Sequence, residues 1–233
     1  MLILLDDVKI MKKKSLLIVL SVIIQILLTI SFTGCLKQQN IQLDAVEIRE
    51  YQGERLSSVN DFRENSIKGP QYINISTYQL SITGLLEQEK NYTYDEIINT
   101  FQHYKKVVIL DCVEGWSVKI LWEGVLVKDL IREVQPNPSA NTIIFKAYDD
   151  YTTSFPLNYT MDNNILLAFK MNNATLPAER GFPFQLVAES KWGYKWIKWV
   201  TEIELSDNPY YKGYWESRGY SNNGNLNESF FDK

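Results

Sequence analysis

The chain has 233 residues, 24 Lys and Arg against 28 Asp and Glu, 45% hydrophobic and 13% aromatic residues, and a formal net charge of −4. A mildly acidic balance without a basic stripe excludes a nucleic-acid binder, and the aromatic content excludes a disordered chain. Two cysteines and a single histidine, His103, exclude zinc fingers, iron–sulfur clusters, c-type haem and multi-histidine metal sites.

Lys12, Lys13 and Lys14 precede an apolar run from Ser15 to Ile30, and Phe32-Thr33-Gly34 then leads into Cys35. That is the layout of a signal peptide over residues 1–34. Asp6 and Asp7 suit a positive leader badly, which makes Met11 an alternative start. The site resembles the lipobox of prokaryotic lipoproteins, which implies that Cys35 carries the lipid. An uncleaved anchor helix is the other reading. Both predict an extracytoplasmic, membrane-anchored protein. Without residues 1–34 the chain carries 20 basic and 26 acidic residues, enough length for one domain with a sizeable core. With Cys35 acylated, Cys112 is the one free thiol.

Residues 35–64 are polar and mixed and predict a membrane-proximal spacer. Tyr78 to Ile82 alternates and ends near Gly84, a strand signal. Thr93-Tyr-Asp-Glu96 has capping-box form and predicts a helix to about Tyr104, with Ile97, Ile98 and Phe101 on its apolar side. Val107 to Leu110 predicts a buried strand running into Asp111-Cys112, and Ser117 to Trp122 another. Val127 to Val134 predicts a short amphipathic helix closed by Pro136 and Pro138. Thr142 to Ala147 and Thr152 to Leu157 predict a strand pair around Asp149-Asp150-Tyr151, while Ile165 to Met171 is ambiguous between strand and helix. Phe184 to Ala188 predicts a strand, and Ile197, Trp199, Ile203 and Leu205 a long half-buried one of period 2. From Asn208 the chain reads as irregular, with residues 221–233 as a polar tail. Many short strands with few helices predict an α+β fold dominated by strands.

Cys112 stands where an apolar strand opens into a loop, the usual place for a functional side chain on a rigid scaffold, although a buried lone cysteine is by default a small hydrophobe. Leu110-Asp-Cys-Val-Glu-Gly-Trp-Ser117 is followed by Asp149-Asp-Tyr151, Gly181-Phe-Pro183, Gly193-Tyr-Lys-Trp-Ile-Lys-Trp199 and Gly213-Tyr-Trp-Glu216. In this order, from about Tyr78 to Tyr220, the series resembles the molybdopterin-binding domain of the sulfite-oxidase family, which includes the catalytic subunit of periplasmic methionine-sulfoxide reductase. The Cys-x-Glu-Gly-Trp and Gly-Tyr-Lys-x-x-Lys-Trp stretches are its most specific parts.

The resemblance implies a mixed-sheet fold over residues 65–220, a molybdenum–molybdopterin cofactor, and Cys112 as the metal's thiolate ligand. It also implies cofactor contacts from Asn65, Ser66, Ile67, Asp149, Arg180, Gln185, Trp196, Ile197 and Lys198, with Lys195 beside them. Tyr211 is its candidate catalytic residue toward a small oxyanion or sulfoxide substrate. Arg180 stands where the family usually has histidine, Gln185 where it usually has arginine, and Glu189 where it usually has proline. The chain shows no haem, iron–sulfur, flavin or nicotinamide motif, so electrons are expected to pass to a separate haem- or quinone-linked partner. Two other readings stay open: a non-catalytic surface lipoprotein using the fold as a binding module, and a thiol-based redox protein using Cys112 directly. Sequons at Asn74, Asn91, Asn158, Asn173 and Asn227 allow glycosylation.

Overall fold

Apolar alternation and turn glycines fold the chain, in a computed structural model describing residues 46–232, into two five-stranded sheets and a small hairpin. The predicted signal peptide and Cys35 lie outside the described residues. The hairpin pairs β1 (Glu50–Tyr51) with β2 (Glu54–Arg55).

The first sheet is built on a long antiparallel pair, β5 (Tyr104–Asp111) and β6 (Ser117–Leu126). β9 (Leu166–Met171) pairs with β6, and β10 (Ala174–Thr175) and β11 (Gln185–Val187) both pair with β9. The ambiguous apolar run at 165–171 is thus a strand, buried at nearly every position because both of its sides are occupied. In the second sheet β12 (Val200–Ser206) lies between β3 (Leu80–Gly84), to which it is parallel, and β7 (Thr142–Ala147), to which it is antiparallel. β4 (Lys90–Tyr92) and β8 (Thr152–Pro156) flank them. One apolar cluster takes Ile82, Phe145 and Ile203 from this sheet and Val108, Ile120 and Val125 from the other. Each such side chain contributes about 1.5–3 kcal/mol when fully buried.

Three short helices join the strands: α1 (Tyr94–Thr100), α2 (Val127–Glu133) and α3 (Leu157–Asp162). The capping box forms as the sequence predicts, with Thr93 Oγ1 accepting from the Glu96 amide at 3.2 Å and Glu96 Oε2 from the Thr93 amide at 2.7 Å. α1 ends at Thr100 rather than near Tyr104, because Tyr104 already pairs with Gly124 as the start of β5.

Other segments depart further from the sequence reading. The predicted strand from Ile197 starts only at Val200, because Trp199 takes a left-handed backbone (φ 55°) that breaks the extended run. Residues 46–64, expected as spacer, are tied to the domain: Ile48 N–H donates to Asn172 O at 3.0 Å, Ser57 N–H to Lys119 O at 2.8 Å, and Leu56 is buried. Residues 221–232 also pack, with Trp192 N–H on Gly224 O at 2.8 Å and Phe230 edge-on to Trp192. Polar composition hides both, since their attachment runs mainly through backbone groups. No helix among the described residues is long and apolar enough to cross a membrane.

Candidate functional site

The β5–β6 connection places Cys112. Asp111 and Ser117 are the last paired residues, and between them the Cys112 N–H donates to Trp116 O at 2.9 Å and the Gly115 N–H to Cys112 O at 3.0 Å. Gly115 takes a positive φ of 82°, which closes this tight turn at little steric cost. A second segment docks against it through Gly193, where a Cβ would lie 3.2 Å from Asp111 O and 3.5 Å from Cys112 Cα. Glycine there lets the 193–199 turn close on the strand end.

These segments, with residues 62–67 and the turn at Asp149, enclose a cavity of about 900 Å³ including its open mouth. Cys112, Asn65, Ser66, Ile67, Asp149, Arg180, Gln185, Trp196, Ile197 and Lys198 all line it. Residues the sequence reading did not single out join them, notably Phe62, Arg63, Trp199 and Trp215.

Cys112 Sγ accepts one hydrogen bond, from Asn65 Nδ2 at 3.8 Å. Burial pushes its thiol pKa up, and the Glu114 backbone amide, Asn65 and Arg63 act in the opposite direction. Asn65 and Trp116 hold the Glu114 carboxyl below its ordinary range, with Trp116 Nε1 donating to Glu114 Oε2 at 3.2 Å. Asp149 is buried, which raises its pKa against the pull of the Tyr151 amide, Lys198 and Lys68.

Three cations line the cavity, Arg63, Arg180 and Lys198, and the last two are tied down by neighbours. Lys198 Nζ bonds Glu64 Oε1 at 2.9 Å and Glu179 O at 3.1 Å and lies 4.2 Å from the Trp199 ring centroid. Arg180 donates through Nε to Val59 O at 3.2 Å and through its terminal nitrogen to Phe62 O at 3.1 Å, with its guanidinium over the Phe62 ring. Burial lowers the pKa of both. Gln185 is buried at the wall without a charge.

Two expected residues lie elsewhere. Lys195 is turned into the core, where it meets Glu216, because the short 3₁₀ turn Gly193–Lys195 points Lys195 and Lys198 in different directions. Tyr211 is outside the cavity lining, and its carbonyl accepts from Ser154 Oγ at 3.1 Å. Tyr151 and Tyr194 line the cavity instead, yet their hydroxyls are already donated to Tyr194 O and Ser221 O. The sequence signal for these tyrosines was their place in Asp149-Asp150-Tyr151 and in Gly193–Trp199.

A strand-end thiol lining an aromatic and partly cationic cleft is an arrangement suited to holding a ligand or cofactor. Comparison with known proteins gives the family. Residues 67–215 match the oxidoreductase molybdopterin binding domain, and the chain belongs to that family. A putative protein-methionine-sulfoxide reductase subunit of Azospira oryzae is 32% identical over 64% of this chain and 56% of its own. An uncharacterized oxidoreductase of Bacillus subtilis is 28% identical over 66% of this chain and 78% of its own. The protein-methionine-sulfoxide reductase catalytic subunit of Ralstonia nicotianae is 29% identical over 56% and 44%. The chain thus spans about half the length of the Azospira and Ralstonia relatives. The sulfane dehydrogenase of Paracoccus pantotrophus shares the fold, with a TM-score of 0.58, 24% identity, and coverage of 60% of this chain and 41% of the other. The strand-dominated α+β fold of sulfite-oxidase type expected from the sequence is the observed one.

The chain is therefore an oxidoreductase domain of sulfite-oxidase type, whose cofactor is molybdenum–molybdopterin. The cavity suits such a group. Ser66 Oγ is buried there without a hydrogen-bond partner, an orphan that a polar ligand would satisfy. Among the described residues no three His, Cys, Asp or Glu side chains are arranged around a metal.

Proposed function

We propose that the cavity holds molybdenum–molybdopterin with Cys112 Sγ as the protein ligand, and that the chain is a membrane-tethered extracytoplasmic oxidoreductase. Its substrate is a small oxyanion or sulfoxide, a class that includes the methionine sulfoxide for which the Azospira and Ralstonia relatives are named. The carrying observation is the Cys112 thiol at the mouth of a tight β turn, lining the cleft with the Asn65 side-chain amide on its sulfur. When bound, the cofactor supplies two-electron redox chemistry coupled to oxygen-atom transfer.

The residues of the chain bind and orient. Cys112 contributes a soft thiolate, kept deprotonated by ligation. Asn65 fixes the direction of that sulfur. Arg180 and Lys198 offer cations to the phosphate end, and Ser66 with the backbone at Ile67, Trp196 and Ile197 offers hydrogen bonds. Gln185 adds a neutral amide, and Asp149 orders the turn before Tyr151 by accepting its amide at 3.1 Å. Trp116, Trp196 and Trp199 exclude water from the cleft. Electrons pass to a separate haem- or quinone-linked partner, and Cys35, outside the described residues, carries the lipid tether.

The test is metal and pterin analysis of the full chain made in a host that synthesises the cofactor. We expect roughly one molybdenum per chain in the wild type and none in Cys112→Ser. A folded, molybdenum-free wild type overturns the reading.

A further inference from the structure

Two of the three cations of the cavity wall, Arg180 and Lys198, are not free. Both are held by a single segment, residues 59–64: Arg180 by the carbonyls of Val59 and Phe62, Lys198 by the carboxylate of Glu64 at 2.9 Å. The same segment continues into Asn65 on Cys112 Sγ and the unpartnered Ser66 Oγ, and Lys68 then forms an exposed pair with Asp150, next to the cavity's Asp149. Glu64 is an ordinary surface residue in every respect except that its carboxylate sits on the one lysine of the lining. The Lys198 side chain is 15% exposed and the Glu64 side chain 31%, so the pair is half withdrawn from water.

We propose that Glu64 is a built-in competitor for a phosphate group at Lys198: its carboxylate side chain, seated on the lysine here, is displaced when a phosphate-bearing ligand enters, while Asn65, Ser66 and Ile67 stay on the cavity wall. This rests on the reading of the cavity as the cofactor site and adds a loading step to it. The chemistry follows from the lysine. An ammonium is a compact point charge that a carboxylate or a phosphate oxygen satisfies equally well, but not both with full contact in one partly buried position. Glu64 therefore lowers the apparent affinity for phosphate by the fraction of molecules in which it is seated. It also spares the empty protein an uncompensated, partly buried cation.

Full-length protein is prepared from a host unable to make molybdopterin, and the probe is inorganic phosphate at constant ionic strength, read by thermal shift and by limited proteolysis at Glu64. Glu64→Gln should bind phosphate roughly five- to tenfold more tightly than wild type, and Lys198→Met should abolish the response in both backgrounds. Phosphate should speed cleavage by a glutamate-specific protease at Glu64 in the wild type as its side chain is released. Because Glu64 is a surface residue, its variant folds; an unshifted midpoint without phosphate shows this directly. Equal phosphate affinity of Glu64→Gln and wild type overturns the proposal, as does a response surviving Lys198→Met.

Cofactor-loaded protein gives the last arm. Loss of the response to inorganic phosphate places the cofactor's own phosphate at Lys198. A response retained after loading marks an independent free-phosphate site and overturns the loading step. Stoichiometric molybdenum with no effect of Glu64→Gln sinks the competitor and leaves the cofactor reading intact. The reverse pattern, tighter phosphate in Glu64→Gln with no molybdenum in the wild type, sinks the cofactor reading instead.

Discussion

Lys195 Nζ lies 2.6 Å from Glu216 Oε1, and neither side chain is exposed. The ammonium also donates to Ser154 O at 2.7 Å and Asn222 O at 3.0 Å, while Thr153 Oγ1 donates to the same Glu216 oxygen at 2.6 Å. The pair thus pins the 3₁₀ turn Glu216–Arg218 and the chain after Tyr220 to β8. Removing either partner leaves an unpaired buried charge, so Lys195→Met and Glu216→Leu should each cost about 3–5 kcal/mol, while the double variant recovers most of the loss. Urea denaturation of the three variants checks this; single losses below about 1 kcal/mol would contradict it.

Lys191 gives a pH signature. Its Nζ donates to Asn223 O at 2.9 Å and Asn225 Oδ1 at 2.6 Å over the Tyr159 ring. Burial, then the charge of Lys195, pushes its pKa down from 10.5 to about 8. Below about 8 folded and unfolded chains both carry the proton, and the cost of burying the charge is present in full. Between about 8 and 10.5 the unfolded chain binds more protons, so this residue's contribution to stability rises with pH. The stability of wild type relative to Lys191→Met should therefore climb across that window, and a flat difference rules the account out.

The capping box is a local prediction. Thr93→Ala removes the acceptor for the Glu96 amide and should lower stability by about 1 kcal/mol. Helical hydrogen exchange at residues 95–97 should quicken with it. Unchanged exchange at those amides would show that packing of Ile97, not the cap, holds the first turn.

Gly213 is a steric prediction. A Cβ there would stand 2.2 Å from Thr152 O and 2.8 Å from Glu216 Oε2. Gly213→Ala must push residues 213–216 off β8 and should cost about 1–3 kcal/mol, visible as a lowered denaturation midpoint. A midpoint within error of wild type would mean that the close approach is not retained in solution.

Much of this was legible in the sequence, and the reasons differ by residue. The capping box was readable because its chemistry is complete within four positions, Thr93 to Glu96. Cys112 was readable because an apolar strand, a glycine and a tryptophan lie next to it in the chain. Residues brought to one cavity from 65 to 198 could be listed only through the family likeness, since no local pattern joins Ser66 to Arg180. The fate of Lys195 was hidden because its partner, Glu216, is 21 residues away and an alternating strand face offers no sign of burial. The break at Trp199 was equally hidden, as tryptophan gives no hint of a positive φ. Residues 46–64 looked like spacer because hydrogen bonds made by backbone leave no trace in composition.

The parallel seam between β3 and β12, with Ser81 opposite Glu202, has a consequence for how the chain is made. While the ribosome is still working between these two strands, one edge of β3 faces nothing, and β7 waits for the same missing neighbour. Early in its life the molecule therefore consists of separate hairpins with open edges, the condition that invites mispairing. Closure of the second sheet is a late event with a long loop to close. A newly made chain should thus stay loosely folded, and in need of a holding chaperone, until β12 has emerged.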